Sequence, residues 1–208
     1  MEKGNEHARL NERKWDLRAK TFDDRRFDYF RFMQKRVVSL VGLKENQHFL
    51  DLGCGTGWAV RYAASLVNQR GEFYGIDISS KMIEKAKARS KGYENAHFYK
   101  SNAEELPFEG SFFDFIICTN SFHHYLNPSQ ALGEAHRVLK SGGKIYILDI
   151  TTDGPIMKMI DKWIKRKERE HVKYYSTRDY RMLFATAKLK HITSKLITFP
   201  LKVHMAEK

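Results

Sequence analysis

The sequence predicts an α/β fold: a doubly wound, seven-stranded, mostly parallel sheet with a helical N-terminal cover and an antiparallel C-terminal hairpin. Three observations predict it. Short apolar runs alternate with helical patterns from residue 47 to residue 150, as in successive strand–helix–strand units. Several of these runs are almost continuous in Phe, Ile, Leu and Tyr, as expected of strands covered on both faces. A glycine-rich turn, Asp51-Leu52-Gly53-Cys54-Gly55-Thr56-Gly57, follows the first run and precedes a helical pattern.

The elements follow in order. Residues 1–46 read as helical, with Phe30, Met33, Val37 and Val41 near helical spacing on one face. Five strands are predicted at 48–52, 72–77, 97–101, 113–118 and 143–149, with helices between them at 57–67, 80–90 and 128–139. Ser79 or Ser80 can cap the second helix, and Asn127-Pro128 opens the third. Gly154-Pro155 then breaks the pattern. Beyond it Ile156, Met159, Ile160, Trp163 and Ile164 form an apolar face, opposite a basic face of Lys158, Lys162, Lys165, Arg166 and Arg169. Such a helix suits an anionic membrane surface; the expected arrangement is packing on the core, with its charges in water. A short helix at 177–187 follows. Two strands at 190–199 and 201–205, joined at Pro200, are too closely connected to be anything but antiparallel.

Composition sets the bounds. With 208 residues, 42% of them hydrophobic, the chain can build one domain with a sizeable core and is too short for two. The expected layout is a single domain over 1–208, with a cover at 1–46, a core at 47–150 and a basic region at 151–208. An aromatic content of 13% excludes a wholly disordered chain. No apolar run approaches the ~20 residues that span a bilayer, and the polar segment from Met1 to Lys14 does not read as a signal peptide. A cytoplasmic protein is expected. Cys54 and Cys118 form no CxxC pair, so neither a disulfide framework nor a metal site is expected. The net charge of +12 is unevenly spread: Lys/Arg against Asp/Glu number 12 and 8 over 1–46, 11 and 12 over 47–154, and 14 and 5 over 155–208. The middle is balanced. The basic flanks are either a solvated surface or the place where an acidic partner is met.

The glycine turn carries the chemistry. Glycines let the backbone approach a ligand and adopt positive φ, and the helix that follows presents free N–H groups. A dinucleotide-binding turn would need GxGxxG. Here Trp58 stands where the third glycine belongs, which counts against NAD. Asp77 ends the next strand, where a carboxylate can accept hydrogen bonds from a ribose diol or cap the helix after Ser79. Later segments are Ser101-Asn102-Ala103-Glu104-Glu105-Leu106-Pro107-Phe108, Phe113-Asp114-Phe115-Ile116-Ile117-Cys118 with Thr119-Asn120-Ser121-Phe122-His123-His124, and Arg137-Val138-Leu139-Lys140-Ser141-Gly142-Gly143-Lys144.

In this order the segments resemble the class I methyltransferases that use S-adenosylmethionine (SAM), with their Rossmann-like sheet, and in particular the group that includes ubiquinone and menaquinone C-methyltransferases and many small-molecule enzymes. The resemblance covers residues 12–150, and Trp15-Asp16-Leu17-Arg18-Ala19-Lys20-Thr21-Phe22-Asp23 is similar to that group's entry segment. It implies that Asp51, Gly53, Gly55 and Gly57 hold the methionine end of SAM and that Asp77 binds the ribose. Ile78 and Met82 would sandwich the adenine, and Ala103 would offer it a backbone N–H. Asn102 departs from the usual Asp, but its side-chain oxygen can still accept from the adenine amino group. Cys118 and Thr119 would line the exit of the methyl group, and Phe22 would close over the cofactor.

His123 and His124, after the fourth strand, are the candidates for a general base. Tyr125, His171, Tyr174 and Tyr175 are candidates for the acceptor pocket. The expected acceptor is a small molecule or lipid, possibly anionic in view of the basic flanks. A nucleic acid is less favoured: no RNA-binding module is added, and Thr119-Asn120-Ser121-Phe122 is not the Asn/Asp-Pro-Pro-Tyr/Phe of enzymes that methylate base amino groups. The alternatives are a tRNA or rRNA methyltransferase, and a SAM-binding protein on this fold without catalysis.

Overall fold

The computed structural model describes residues 2–22, 28–168 and 171–208; Asp23 and Arg169 of the sequence patterns lie outside them. The N-terminal region forms two helices, α1 (Glu2–Arg18) and α2 (Asp28–Val41). The strands β1 (Gln47–Leu52), β2 (Gly71–Asp77), β3 (Ala96–Lys100), β4 (Phe113–Thr119) and β5 (Leu139–Ile150) follow, with α3 (Trp58–Leu66), α4 (Ser80–Arg89) and α5 (Pro128–Val138) among them. Then come α6 (Pro155–Lys167), α7 (Thr177–Thr186) and the hairpin β6 (Lys190–Thr198) and β7 (Leu201–Glu207).

The sheet has seven strands in the order β3-β2-β1-β4-β5-β7-β6. The five core strands pair in parallel; β7 is antiparallel to both β5 and β6. The near-continuous apolar runs are explained by two cores, one on each face. Leu50, Leu52, Ile116, Cys118, Ile145 and Ile147 point into a cluster completed by α5 and α7. Their neighbours Phe49, Ile117, Tyr146 and Leu148 point into the other, under α2, α3 and α4. Phe49 and Phe73 are wholly buried, each contributing about 2 to 3 kcal/mol by leaving water.

Local chemistry sets the ends. Ser79 caps α4, its hydroxyl accepting from the Met82 N–H at 3.1 Å. Ser176 and Asp179 form a reciprocal capping box on α7. Pro128 opens α5 as expected, although Asn127 makes no side-chain cap bond; its amide instead donates to Glu104 at 3.0 Å.

Two expectations are corrected. The glycine turn predicted before the fifth strand lies inside it: β5 begins at Leu139, paired with Phe113, and the register shifts between Phe113 and Phe115. Gly142, at φ 76°, absorbs the irregularity. The apolar stripe of α6 does not pack on the core. Met157 is its buried residue, and Ile156, Met159, Ile160 and Trp163 are exposed.

The chain lays down β1, β2 and β3 to one side, then returns to place β4 on the other side of β1. That reversal opens a crevice beyond the carboxyl ends of β1 and β4, the usual ligand position in such sheets.

Candidate active site

A cavity of about 690 Å³ occupies this crevice. Its floor is the glycine turn. Gly53, Gly55 and Gly57 all have φ between 53° and 76°, a region costly for any residue with a Cβ. At Gly53 a Cβ would also collide with the Ser121 hydroxyl, and at Gly57 it would meet the Phe98 ring at 2.6 Å. The turn is held from below: the Gly53 and Cys54 N–H groups donate to the Ile76 carbonyl at 2.9 and 2.8 Å.

Asp77 lies on the cavity wall at the end of β2 and is nearly buried. Its Oδ2 accepts from the Gly55 N–H at 2.8 Å and its Oδ1 from the Ser79 N–H at 2.9 Å. It therefore braces the turn and the α4 cap together, and each oxygen retains a lone pair for a ligand hydroxyl. Burial raises its pKa to about 6, against the opposing pull of those N–H groups. Asp51 ends β1 behind the wall, fully buried, and neither of its oxygens has a hydrogen-bond partner among the described residues. Burial, then the nearby Asp77, pushes its pKa up to about 8. A buried carboxylate with no partner is unfavourable unless a cation arrives.

Ile78, Met82, Asn102 and Ala103 share the wall with Asp77. Asn102 Oδ1 accepts from the Glu104 N–H at 3.1 Å, so the amide is oriented by its own loop. Trp58 also faces the cavity and stacks on Tyr62, ring centroids 5.1 Å apart. Phe22 stands over Gly55, its ring edge against Trp15. Thr119 is on the wall, its hydroxyl accepting from Gln34 of α2 at 3.2 Å. Cys118 is not: it is buried behind Tyr125, with Sγ 3.5 Å from the Tyr125 hydroxyl, and Tyr125 takes the wall position. The strand's alternation turns Cys118 into the core and Thr119 outward.

The two histidines separate. His124 lies on the wall, its ring edge to Trp15 at 5.6 Å. Its carbonyl accepts from His7 Nε2 at 2.9 Å. His123 lies behind the wall: Asp149 accepts from its Nδ1 at 2.9 Å and from its backbone N–H at 3.1 Å. His123 packs on the His124 ring at 4.0 Å, with Tyr174 and His171 beyond. Tyr174, Tyr175 and His171 are buried away from this cavity.

Sequence reasoning missed the cover's share of the site. His7, Asn11, Trp15 and Arg18 descend one face of α1 onto the cavity, and Phe30, Arg31 and Gln34 of α2 join them. The signal was present as spacings of four, four and three along α1, the helical period applied to polar and aromatic residues.

The chain is similar to known proteins in sequence and fold. The methyltransferase domain family matches over residues 43–196. The chain is 31% identical over 137 residues to the ubiquinone/menaquinone biosynthesis C-methyltransferase UbiE of Pectobacterium atrosepticum, covering 64% of this chain and 54% of that protein. It is 34% identical over 124 residues to the demethylmenaquinone methyltransferase of Staphylococcus aureus, covering 59% and 51% respectively. The chain thus spans about half the length of the curated relatives it matches. Its fold is that of a SAM-dependent methyltransferase from Aquifex aeolicus, with a TM-score of 0.74, 24% identity, and coverage of 92% of this chain and 97% of that one.

Proposed function

This chain belongs to the class I SAM-dependent methyltransferases, and from that premise we propose that it transfers a methyl group from SAM to a small-molecule or lipid acceptor. One observation carries the reading: the cavity gathers Asp77, Ile78, Met82, Asn102 and Ala103 beside a glycine turn whose Cβ positions are already filled. SAM, when bound, supplies an activated methyl group on a sulfonium. The residues fit such a group. Asp77 has lone pairs for a ribose diol, Ile78 and Met82 offer apolar surface for adenine, and Asn102 and Ala103 offer polar contacts to its edge. Asp51, behind the turn and without a hydrogen-bond partner among the described residues, supplies negative charge at the methionine end.

The rest of the wall receives the acceptor. Trp15, Phe22 and Phe30 of the cover exclude water, and Tyr125 and Ser121 supply hydroxyls. Arg18 and Arg31 on the wall support an anionic acceptor. His124, on the cavity wall, would take a proton from an O–H or N–H acceptor; His123, fixed by Asp149, would position it. The quinone-pathway names of the relatives put quinone precursors among the first acceptors to try.

Calorimetry tests the donor: SAM binds, and Asp77→Ala weakens it by about tenfold to a hundredfold, the worth of hydrogen bonds to a charged group. Binding of NAD without SAM overturns the reading. Labelled SAM with a panel of quinone precursors, anionic small molecules and tRNA tests the acceptor. Transfer to tRNA alone replaces the small-molecule assignment, and SAM binding without transfer to any member replaces catalysis with binding.

A further inference from the structure

Helix α6 leaves the core with its apolar side bare. Its inner side is held by Met157, which is buried, and by Asp161, whose Oδ1 accepts from His171 Nε2 and from the Tyr174 N–H, each at 2.7 Å. The larger apolar groups face outward: Ile156 is 67% exposed, Met159 66%, Trp163 55% and Ile160 37%. Their spacing of three, four and seven makes one continuous stripe. Lys158, Lys162 and Arg166 run along one border of it, and Lys167, one turn beyond Trp163 and in line with it, places Nζ 4.4 Å from the Trp163 ring centroid.

A second apolar group lies near the start of this helix. Phe199, 76% exposed, sits in the turn between β6 and β7. That turn meets the end of β5, where Ile150 pairs with Leu201 and the Thr151 N–H donates to the Pro200 carbonyl at 3.0 Å. Helix α6 begins a few residues later, at Pro155.

We propose that α6, with Phe199, docks this protein on a bilayer of anionic phospholipid. The stripe enters the boundary between headgroups and acyl chains, where the amphipathic Trp ring is favoured, and the bordering lysines and arginine extend to the phosphates. Charge selects the partner: residues 155–208 carry 14 Lys/Arg against 5 Asp/Glu, and each cation held near an anionic surface contributes about fivefold in affinity. A second copy of the chain is disfavoured, because stripe-to-stripe contact would bring the cations of both copies together while Asp161 points inward. A nucleic acid would use the cations and leave the stripe in water. The proposal stands independently of the methyl-transfer reading.

Flotation of the full chain with vesicles tests it. Binding is expected to phosphatidylcholine vesicles containing phosphatidylglycerol, weaker in raised salt, and absent with phosphatidylcholine alone. Brominated acyl chains should quench tryptophan emission, and Trp163→Phe should bind but lose that quenching. Ile156→Asp with Met159→Asp should abolish binding, and Lys162→Gln with Arg166→Gln should weaken it by about twenty-five-fold. Unchanged SAM affinity and melting temperature in these variants separate lost docking from lost folding. The proposal is overturned by failure to bind the anionic vesicles, by binding that both double variants leave unchanged, or by a dimer in light scattering that the Asp variants dissolve.

Discussion

Asp51 sits where an ionised carboxylate is unfavourable, at zero exposure and without a partner for either oxygen among the described residues. A cationic ligand reverses the preference, so binding must release protons. SAM affinity is therefore expected to rise as pH increases from about 6 through about 8, the pKa values of Asp77 and Asp51 in the free protein. Calorimetry in buffers of differing ionisation enthalpy would show the proton release, and Asp51→Asn should flatten the pH profile while weakening SAM. The histidines diverge in the same way. His124→Ala should lower kcat by about a hundredfold for an acceptor that must lose a proton, with the KM for SAM unchanged. His123→Ala should instead lower stability by about 2 kcal/mol, because it removes a hydrogen bond from the buried Asp149; denaturant titration measures that. Adjacent residues in a sequence give no indication of which faces a cavity, and here a short 3-10 helix over Phe122–His124 decides it. The glycines and Asp77 were legible because backbone geometry and a strand end fix them. Cys118 was misplaced by one step of strand alternation, whereas Tyr125, expected in the acceptor pocket, does lie on the cavity wall.

Among the elements, α1 is tied to the elements of the site by several side chains. Asp16 accepts from the Ser79 hydroxyl at 2.5 Å and from the Lys81 N–H at 3.2 Å, tying the cover to the cap of α4. Lys14 pairs with Glu168 at 2.7 Å at the end of α6, and His7 holds the His124 carbonyl. Asp16→Ala should loosen this clasp by about 1.5 kcal/mol. That corresponds to SAM binding weakened about tenfold and faster proteolysis within α1, with little change in melting temperature. Unchanged affinity would show that the cover does not help hold the donor. Helical character in residues 1–46 was legible from spacing, as was the two-faced pattern of α6. What covers a face was not, since an apolar stripe has the same periodicity against a core, a membrane or water. The turn before β5 was misread for a related reason: Ser141-Gly142-Gly143 has turn composition, but pairing with β4 on either side of it, at Leu139 and Lys144, and hydrogen bonds of Gly142 and Gly143 with Lys208 keep it within the strand.

Across the whole molecule, two buried groups pull the response to pH in opposite directions. His204 is wholly buried between Ser194 and Thr151, at 2.8 and 3.2 Å, and stacks on Tyr180. Burial drives its pKa down to about 3. The unfolded chain binds a proton there below about pH 6.5 and the folded one does not, so this contribution is present above pH 6.5 and is lost as pH falls. Asp51 acts oppositely: the folded protein retains its proton up to about pH 8, so stability is lost as pH rises. Between about pH 6.5 and 8 only Asp51 of the two still changes, and the ligand-free protein should lose about 2 kcal/mol over that interval. Melting temperatures should fall by about 5 °C, and saturating SAM or Asp51→Asn should remove the trend. Neither effect was legible in the sequence, because each depends on the neighbours that the fold assembles.

The same pair of acids bears on turnover. SAM carries a sulfonium, and its demethylated product, a neutral thioether, carries one positive charge fewer. A donor site backed by Asp51 and Asp77, as proposed, would be matched to the charged form. It would hold the product less tightly than the donor, and product inhibition should ease as the solution becomes more alkaline.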